Sequence, residues 1–111
     1  LEEWCAAAAG ALHGRGAGKL IITLGEYGAF YSDGARRFTL PAFPVEAVDS
    51  TAAGDAFNGG LAVRLAAGDP IADAMRYASA CGAITATRRG SVPSLPTGDE
   101  VEKFLQKHQE V

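Results

Sequence analysis

Gly68-Asp69-Pro70 stops one helix and starts another, and this break commits the second half of the chain to consecutive packed helices. Glycine readily takes the conformation that ends a helix, and proline suits the first turn of the next. Before the break, from Gly54 to about Ala67, the residues Phe57, Leu61, Ala62 and Leu65 recur on one face. After it, from Pro70 to about Thr87, the small residues Ala74, Ala78 and Gly82 allow close helix packing.

The first half reads differently. Leu1 to about His13 is Ala-rich, with Trp4, Ala8 and Leu12 at helical spacing, and Gly14 to Gly18 ends that helix. Lys19 to Leu24 is a short apolar, β-branched run, which predicts a strand buried on both faces, hence parallel and central. Gly25 and Gly28 punctuate the following loop. Ala29 to Tyr31 begins a hairpin with its turn at Ser32-Asp33-Gly34, and Arg37 to Leu40 returns. Pro41 and Pro44 mark a crossing to Val45–Val48, an edge or connecting segment. Arg88 to Pro96 reads as a loop, and Thr97-Gly-Asp-Glu100 is a capping-box pattern before a last helix carrying Val101, Phe104 and Leu105. The pattern is that of an α/β layered domain. With 111 residues the chain is long enough for one core but not two.

Composition narrows the partners. A net charge of −3 with only the pairs Arg36-Arg37 and Arg88-Arg89 argues against nucleic acid, whose phosphates need clustered cations. No apolar run reaches about 18 residues, which argues against a membrane span. Cys5 and Cys81 lie in Ala-rich helical patterns and read as buried thiols rather than a disulfide, in keeping with a reducing cytoplasm. His13 and His108 are isolated and read as surface residues. Asp69, Asp73, Asp99 and Glu100 read as helix-start charges.

The chemistry concentrates in Val48-Asp-Ser-Thr-Ala-Ala-Gly-Asp-Ala-Phe-Asn-Gly-Gly60. Ala52, Ala53 and Gly54 have almost no side chain to obstruct a phosphate, so backbone N–H groups at the helix start form an anion hole. Asp55 is then the adjacent base, placed to take a proton from an attacking hydroxyl. Alone, an aspartate here is also a common helix cap, and Asp49 before Ser50-Thr51 is also a common turn former.

Asp49 through Gly59 resembles the C-terminal signature of the ribokinase-type (PfkB) carbohydrate kinases, Asp-Thr-x-Ala-Ala-Gly-Asp-x-Phe-x-Gly, with Ser50 in place of the usual Thr. Ile22-Thr-Leu-Gly-Glu-Tyr-Gly28 resembles the family's nucleotide loop, and Thr87-Arg-Arg-Gly-Ser-Val-Pro-Ser94 its late ion-binding loop. The resemblance covers nearly the whole chain and implies the C-terminal part of a ribokinase-like three-layer α/β/α sandwich. Family members are about two to three times longer than this chain. Residues 1–111 are therefore expected to be the C-terminal nucleotide-binding and catalytic part, with the N-terminal sugar-binding half and lid elsewhere.

The resemblance also implies roles. Thr23, Leu24, Gly25, Glu26, Tyr27 and Gly28 would line the adenine nucleotide, with Glu26 and Tyr27 as solvent-facing spacers. Gly54 would serve both anion hole and nucleotide, Ser79 would reach the base, and Asp55 would activate the sugar's primary hydroxyl. A potassium ion would be held by Asp49, Thr51, Thr85, Arg88, Gly90 and Ser94, with Thr51, Thr85, Arg88 and Gly90 giving main-chain carbonyls. Magnesium would ride on ATP. The Ala-Ala-Gly-Asp variant points to the ribokinase branch, D-ribose phosphorylated at its 5-hydroxyl, in a cytoplasmic homodimer. A fructokinase, 2-deoxyribose kinase or nucleoside kinase would keep the mechanism and change the substrate. A reading of another class is a non-catalytic fragment.

Overall fold

Ala29–Ser32 is buried along its whole length and forms the middle strand of an antiparallel sheet. The computed structural model describes residues 1–90 and 95–109, and the chain divides into two compact units, Leu1–Ala42 and Phe43–Val111.

In the first unit α1 (Glu2–Gly14) precedes three strands, β1 (Leu20–Thr23), β2 (Ala29–Ser32) and β3 (Arg37–Leu40), ordered β1-β2-β3. Leu20 pairs with Ser32 and Thr23 with Ala29, while Ser32 pairs with Arg37 and Ala29 with Leu40. Alternation along β2 sends Phe30 to the side covered by α1, where it meets Cys5 and Ala9 with Leu20, Ile22 and Leu24 around them. Tyr31, on the opposite face, stacks on Phe38 with ring centroids 5.0 Å apart. The β2–β3 turn is closed by Asp33, whose Oδ1 accepts the Ala35 and Arg36 N–H groups at 2.9 and 2.7 Å. His13 ties the end of α1 to this hairpin: Nδ1 meets the Ala17 carbonyl and Nε2 the Ser32 hydroxyl, both at 2.8 Å. It is thus a half-buried tether and not a surface residue.

Two expectations for this unit fail. Among the described residues the Lys19–Leu24 run has no parallel partner: β1 pairs antiparallel with β2, lies at an edge of the described strands, and has no fully buried residue. The short turn between β1 and β2 dictates this, because a parallel partner needs a crossover of a dozen or more residues. On α1, Trp4 and Leu12 of the Trp4-Ala8-Leu12 stripe are exposed, Trp4 to 63%, Ala8 is half-buried, and the neighbouring Cys5 and Ala9 face the sheet. An Ala-rich helix offers little hydrophobic contrast, and Phe30 demands small partners.

The second unit contains α2 (Ala53–Ala66), α3 (Ile71–Ala86) and α4 (Gly98–Lys107). Their core joins Ala56, Ala80, Cys81, Ile84 and Val101, with Phe43, Tyr77, Phe104 and Leu105 packed against it. Small residues set the α2–α3 contact: a Cβ on Gly82 would meet the Ala53 carbonyl at 3.2 Å. The contact face of α2 therefore runs through Ala53, Phe57 and Gly60, and the expected Leu65 is exposed. Gly68 (φ +91°) turns the chain, and Asp69 pairs with Arg64 at 2.8 Å instead of serving the start of α3. The capping box of α4 forms as read: Glu100 N–H donates to Thr97 Oγ1 and Thr97 N–H to Glu100 Oε1. Val45–Val48 is not a strand. His108 stacks on Phe104 and is half-buried, again unlike a surface residue. Cys5 and Cys81 are buried free thiols.

Candidate functional site

In the first unit the nucleotide-loop residues form one tight turn. Gly25–Tyr27 is a 3-10 turn, closed by Leu24 N–H to the Gly28 carbonyl at 2.8 Å and Gly28 N–H to the Gly25 carbonyl at 3.1 Å. Gly25 (φ +58°) and Gly28 (φ +100°) adopt left-handed conformations. Gly28 also lies against β3, where a Cβ would fall 2.0 Å from the Leu40 oxygen. Thr23, Glu26 and Tyr27 are exposed and Leu24 is half-buried.

In the second unit, Asp49, Thr51 and Gly90 come together. Asp49 Oδ1 accepts the Thr51 N–H at 3.0 Å and the Thr51 hydroxyl, and Oδ2 accepts the Gly90 N–H at 3.2 Å. The Thr51 hydroxyl, then the N–H groups of Thr51 and Gly90, pull the Asp49 carboxyl below the usual carboxylate range, so it stays charged. Asp49 is thus both a turn former and a long-range clasp. The turn is further fixed by the Ala86 carbonyl, which accepts the N–H groups of Val48 and Asp49 at 2.7 and 3.0 Å.

The segment from Thr85 to Gly90 meets Asp49 at both ends of its turn, through the Ala86 carbonyl and the Gly90 N–H. Arg88 N–H donates to the Thr85 carbonyl at 3.1 Å, and Gly90 (φ +88°) turns the chain so that its N–H meets Asp49. The Arg88 guanidinium is engaged with Glu100. Among the described residues no three His, Cys, Asp or Glu side chains group as metal ligands. A cation here would be held by one carboxylate plus carbonyl oxygens, a hard donor set that fits a potassium-like ion. The Thr85 hydroxyl is buried and has no partner among the described residues. Ser94 lies outside the described residues.

α2 begins where this turn ends. Its N-cap is Ala52, which has no side-chain oxygen, so no side chain caps the helix. Ala53 N–H donates to the Ser50 carbonyl and Ala56 N–H to the Ala52 carbonyl, while the N–H groups of Gly54 and Asp55 have no acceptor among the described residues. The Asp55 side chain is exposed in that first turn, and a Cβ on Gly54 would meet nothing within 4 Å. Two donors without an acceptor among the described residues, the positive end of a helix and an accessible carboxylate together can bind a phosphoryl group and accept a proton. Ala52 is buried and Ala53 half-buried; Ser79 is half-buried on α3.

Sequence reasoning missed the Thr51 hydroxyl as a clamp on Asp49, the Ala86 carbonyl as a double acceptor, and the Arg88–Glu100 pair. Only Glu100 carried a local signal, its place in the capping box.

Comparison with known proteins agrees with these motifs. The chain is 44% identical over 87 residues to ribokinase of Bacillus subtilis, covering 78% of this chain and 30% of that protein. It is 43% identical over 95 residues to fructokinase-1 of Oryza sativa subsp. japonica, covering 78% and 29% respectively. It superposes on the structure of Arabidopsis thaliana ribokinase complexed with ribose and ATP with a TM-score of 0.88 at 27% identity, over 91% of this chain and 33% of that one. The chain thus spans about 30% of the length of the curated relatives it matches. The model of the pfkB family carbohydrate kinases matches residues 2–98, and the chain belongs to that family.

Proposed function

We propose that this chain supplies the nucleotide loop, anion hole, base and cation shell of an ATP-dependent sugar kinase, acting as the C-terminal part of a longer enzyme. The observation that carries the reading is the start of α2, where Gly54 and Asp55 N–H groups without an acceptor among the described residues adjoin an exposed Asp55 carboxylate. The Asp55 carboxylate takes the proton of the sugar's primary hydroxyl, and that oxygen forms a bond to the γ-phosphorus of ATP. The bond between the γ-phosphorus and the β–γ bridging oxygen breaks, and ADP leaves. The Gly54 and Asp55 N–H groups donate to the transferring phosphoryl oxygens, with Ala52 and Ala53 leaving room for them. By the family resemblance, Thr23 to Gly28 would line the nucleotide and Ser79 would reach its base.

Asp49, with carbonyls of Thr51, Thr85, Arg88 and Gly90 and with Ser94, would hold potassium, whose charge supports phosphate binding beside the anion hole. Magnesium accompanies ATP. D-ribose, accepting phosphate at its 5-hydroxyl, is the substrate we favour, supported by the Ala-Ala-Gly-Asp sequence and the ribokinase likeness. The nearly equal identity to a fructokinase supports fructose as a second reading. The family resemblance further supports a cytoplasmic homodimer.

The test is ADP production by the full-length kinase with ribose or fructose. Asp55→Ala is expected to lower turnover by about 10² to 10⁴ while leaving thermal unfolding unchanged. Retained turnover would remove the base assignment, and a higher kcat/KM for fructose would replace the favoured sugar.

A further inference from the structure

We propose that Glu100 is a positioning residue for the Thr85–Gly90 turn, whose Gly90 N–H meets Asp49, acting through the side chain of Arg88. Arg88 Nη1 donates to Glu100 Oε1 at 3.4 Å and Nη2 to Oε2, so the guanidinium and carboxylate meet at two points. Glu100 is itself fixed: Oε1 accepts the Thr97 N–H at 2.9 Å, and its own N–H donates to Thr97 Oγ1 at 3.2 Å. The start of α4 therefore grips the chain just beyond the end of α3. On the main chain, Arg88 is held by single hydrogen bonds on either side, its own N–H to the Thr85 carbonyl and Gly90 N–H to Asp49 Oδ2. Among the described residues, only the Glu100 contact restrains the side-chain direction.

Outer-shell partners of this kind orient ligands they do not replace.

This inference rests on the proposed potassium site, and the experiment separates the two. In the full-length kinase, potassium half-saturation is read from thermal stabilisation by KCl at constant ionic strength without substrates, and again from turnover at saturating ATP and sugar. Glu100→Gln keeps an oxygen for the Thr97 N–H but removes the charge facing Arg88. It is expected to raise half-saturation about threefold to tenfold by both readouts, with kcat at saturating potassium retained. Arg88→Gln should shift it equally, and the double variant no further than either single one. Thr97→Ala, which removes the cap and keeps the pair, should lower Tm with half-saturation unmoved. Wild-type half-saturation in both Glu100→Gln and Arg88→Gln overturns the proposal, as does an equal shift in Thr97→Ala. A wild-type enzyme with no response to potassium refutes the cation site itself, and with it this role.

Discussion

The thiol of Cys81 on α3 occupies the space that a side chain at Gly60 on α2 would need. A Cβ on Gly60 would stand 2.7 Å from the Cys81 Sγ and 3.4 Å from the Ala78 Cα. The same burial pushes the Cys81 thiol up to about 11. Gly60→Ala gains up to about 1 kcal/mol of helix propensity, and overpacking costs about 1–3 kcal/mol. Urea unfolding is expected to show net destabilisation, largely relieved by adding Cys81→Ala. An unchanged midpoint in Gly60→Ala would mean that the α2–α3 contact yields freely.

Gly28 faces a harder obstacle, because the Leu40 oxygen 2.0 Å from its missing Cβ is backbone and its φ is +100°. Gly28→Ala should cost on the order of 3 kcal/mol, combining backbone strain with displacement of β3. Thermal unfolding measures this, and a wild-type Tm would contradict the contact.

Gly54 presents the opposite case, since its Cβ would enter open space. Gly54→Ala should fold with unchanged or slightly higher Tm, by up to about 1 kcal/mol in stability. If the helix start binds the transferring phosphate, turnover falls on the order of tenfold or more in that folded variant. Full activity would dissociate this helix start from catalysis.

Acid should weaken the Arg88–Glu100 contact. The Arg88 side chain, then the Thr97 N–H, lowers the Glu100 carboxyl from 4.5 to about 2. Since the folded value is the lower one, its stabilisation is complete above the unfolded value and disappears as pH falls through the folded one. Urea midpoints between pH 4.5 and 2 should therefore fall more steeply for wild type than for Glu100→Gln. Asp49, also lowered, adds a decline common to both. Equal slopes would show that the pair does not form in solution.

Punctuation was legible where it depends on local chemistry. Gly68-Asp69-Pro70 separates α2 from α3, and Thr97 and Glu100 cap α4 as their spacing predicts. Facing was not legible in Ala-rich helices, where Trp4 and Leu65 lose to Cys5 and Gly60 because close approach, and not hydrophobicity, selects the contact side. The antiparallel pairing of β1 with β2 was not legible in the composition of β1, because it is set by the short turn between them. Of the candidate site, Asp55 and the small residues before it can be read from physical chemistry. The meeting of Asp49 with Gly90 spans 41 positions and follows from no local pattern. The family resemblance alone groups those two residues in advance, and it is silent on the side chain of Arg88.

One carbonyl, that of Ala86, receives the N–H groups of both Val48 and Asp49. The final turn of α3 is therefore a latch for the chain that leads into α2, and one atom governs two amides. Fraying of that turn releases both in a single local opening, so their hydrogen exchange should be correlated and slower than that of the neighbouring Glu46 and Ala47. Through this latch, the order of the Asp49 turn is a measure of how often the end of α3 unwinds.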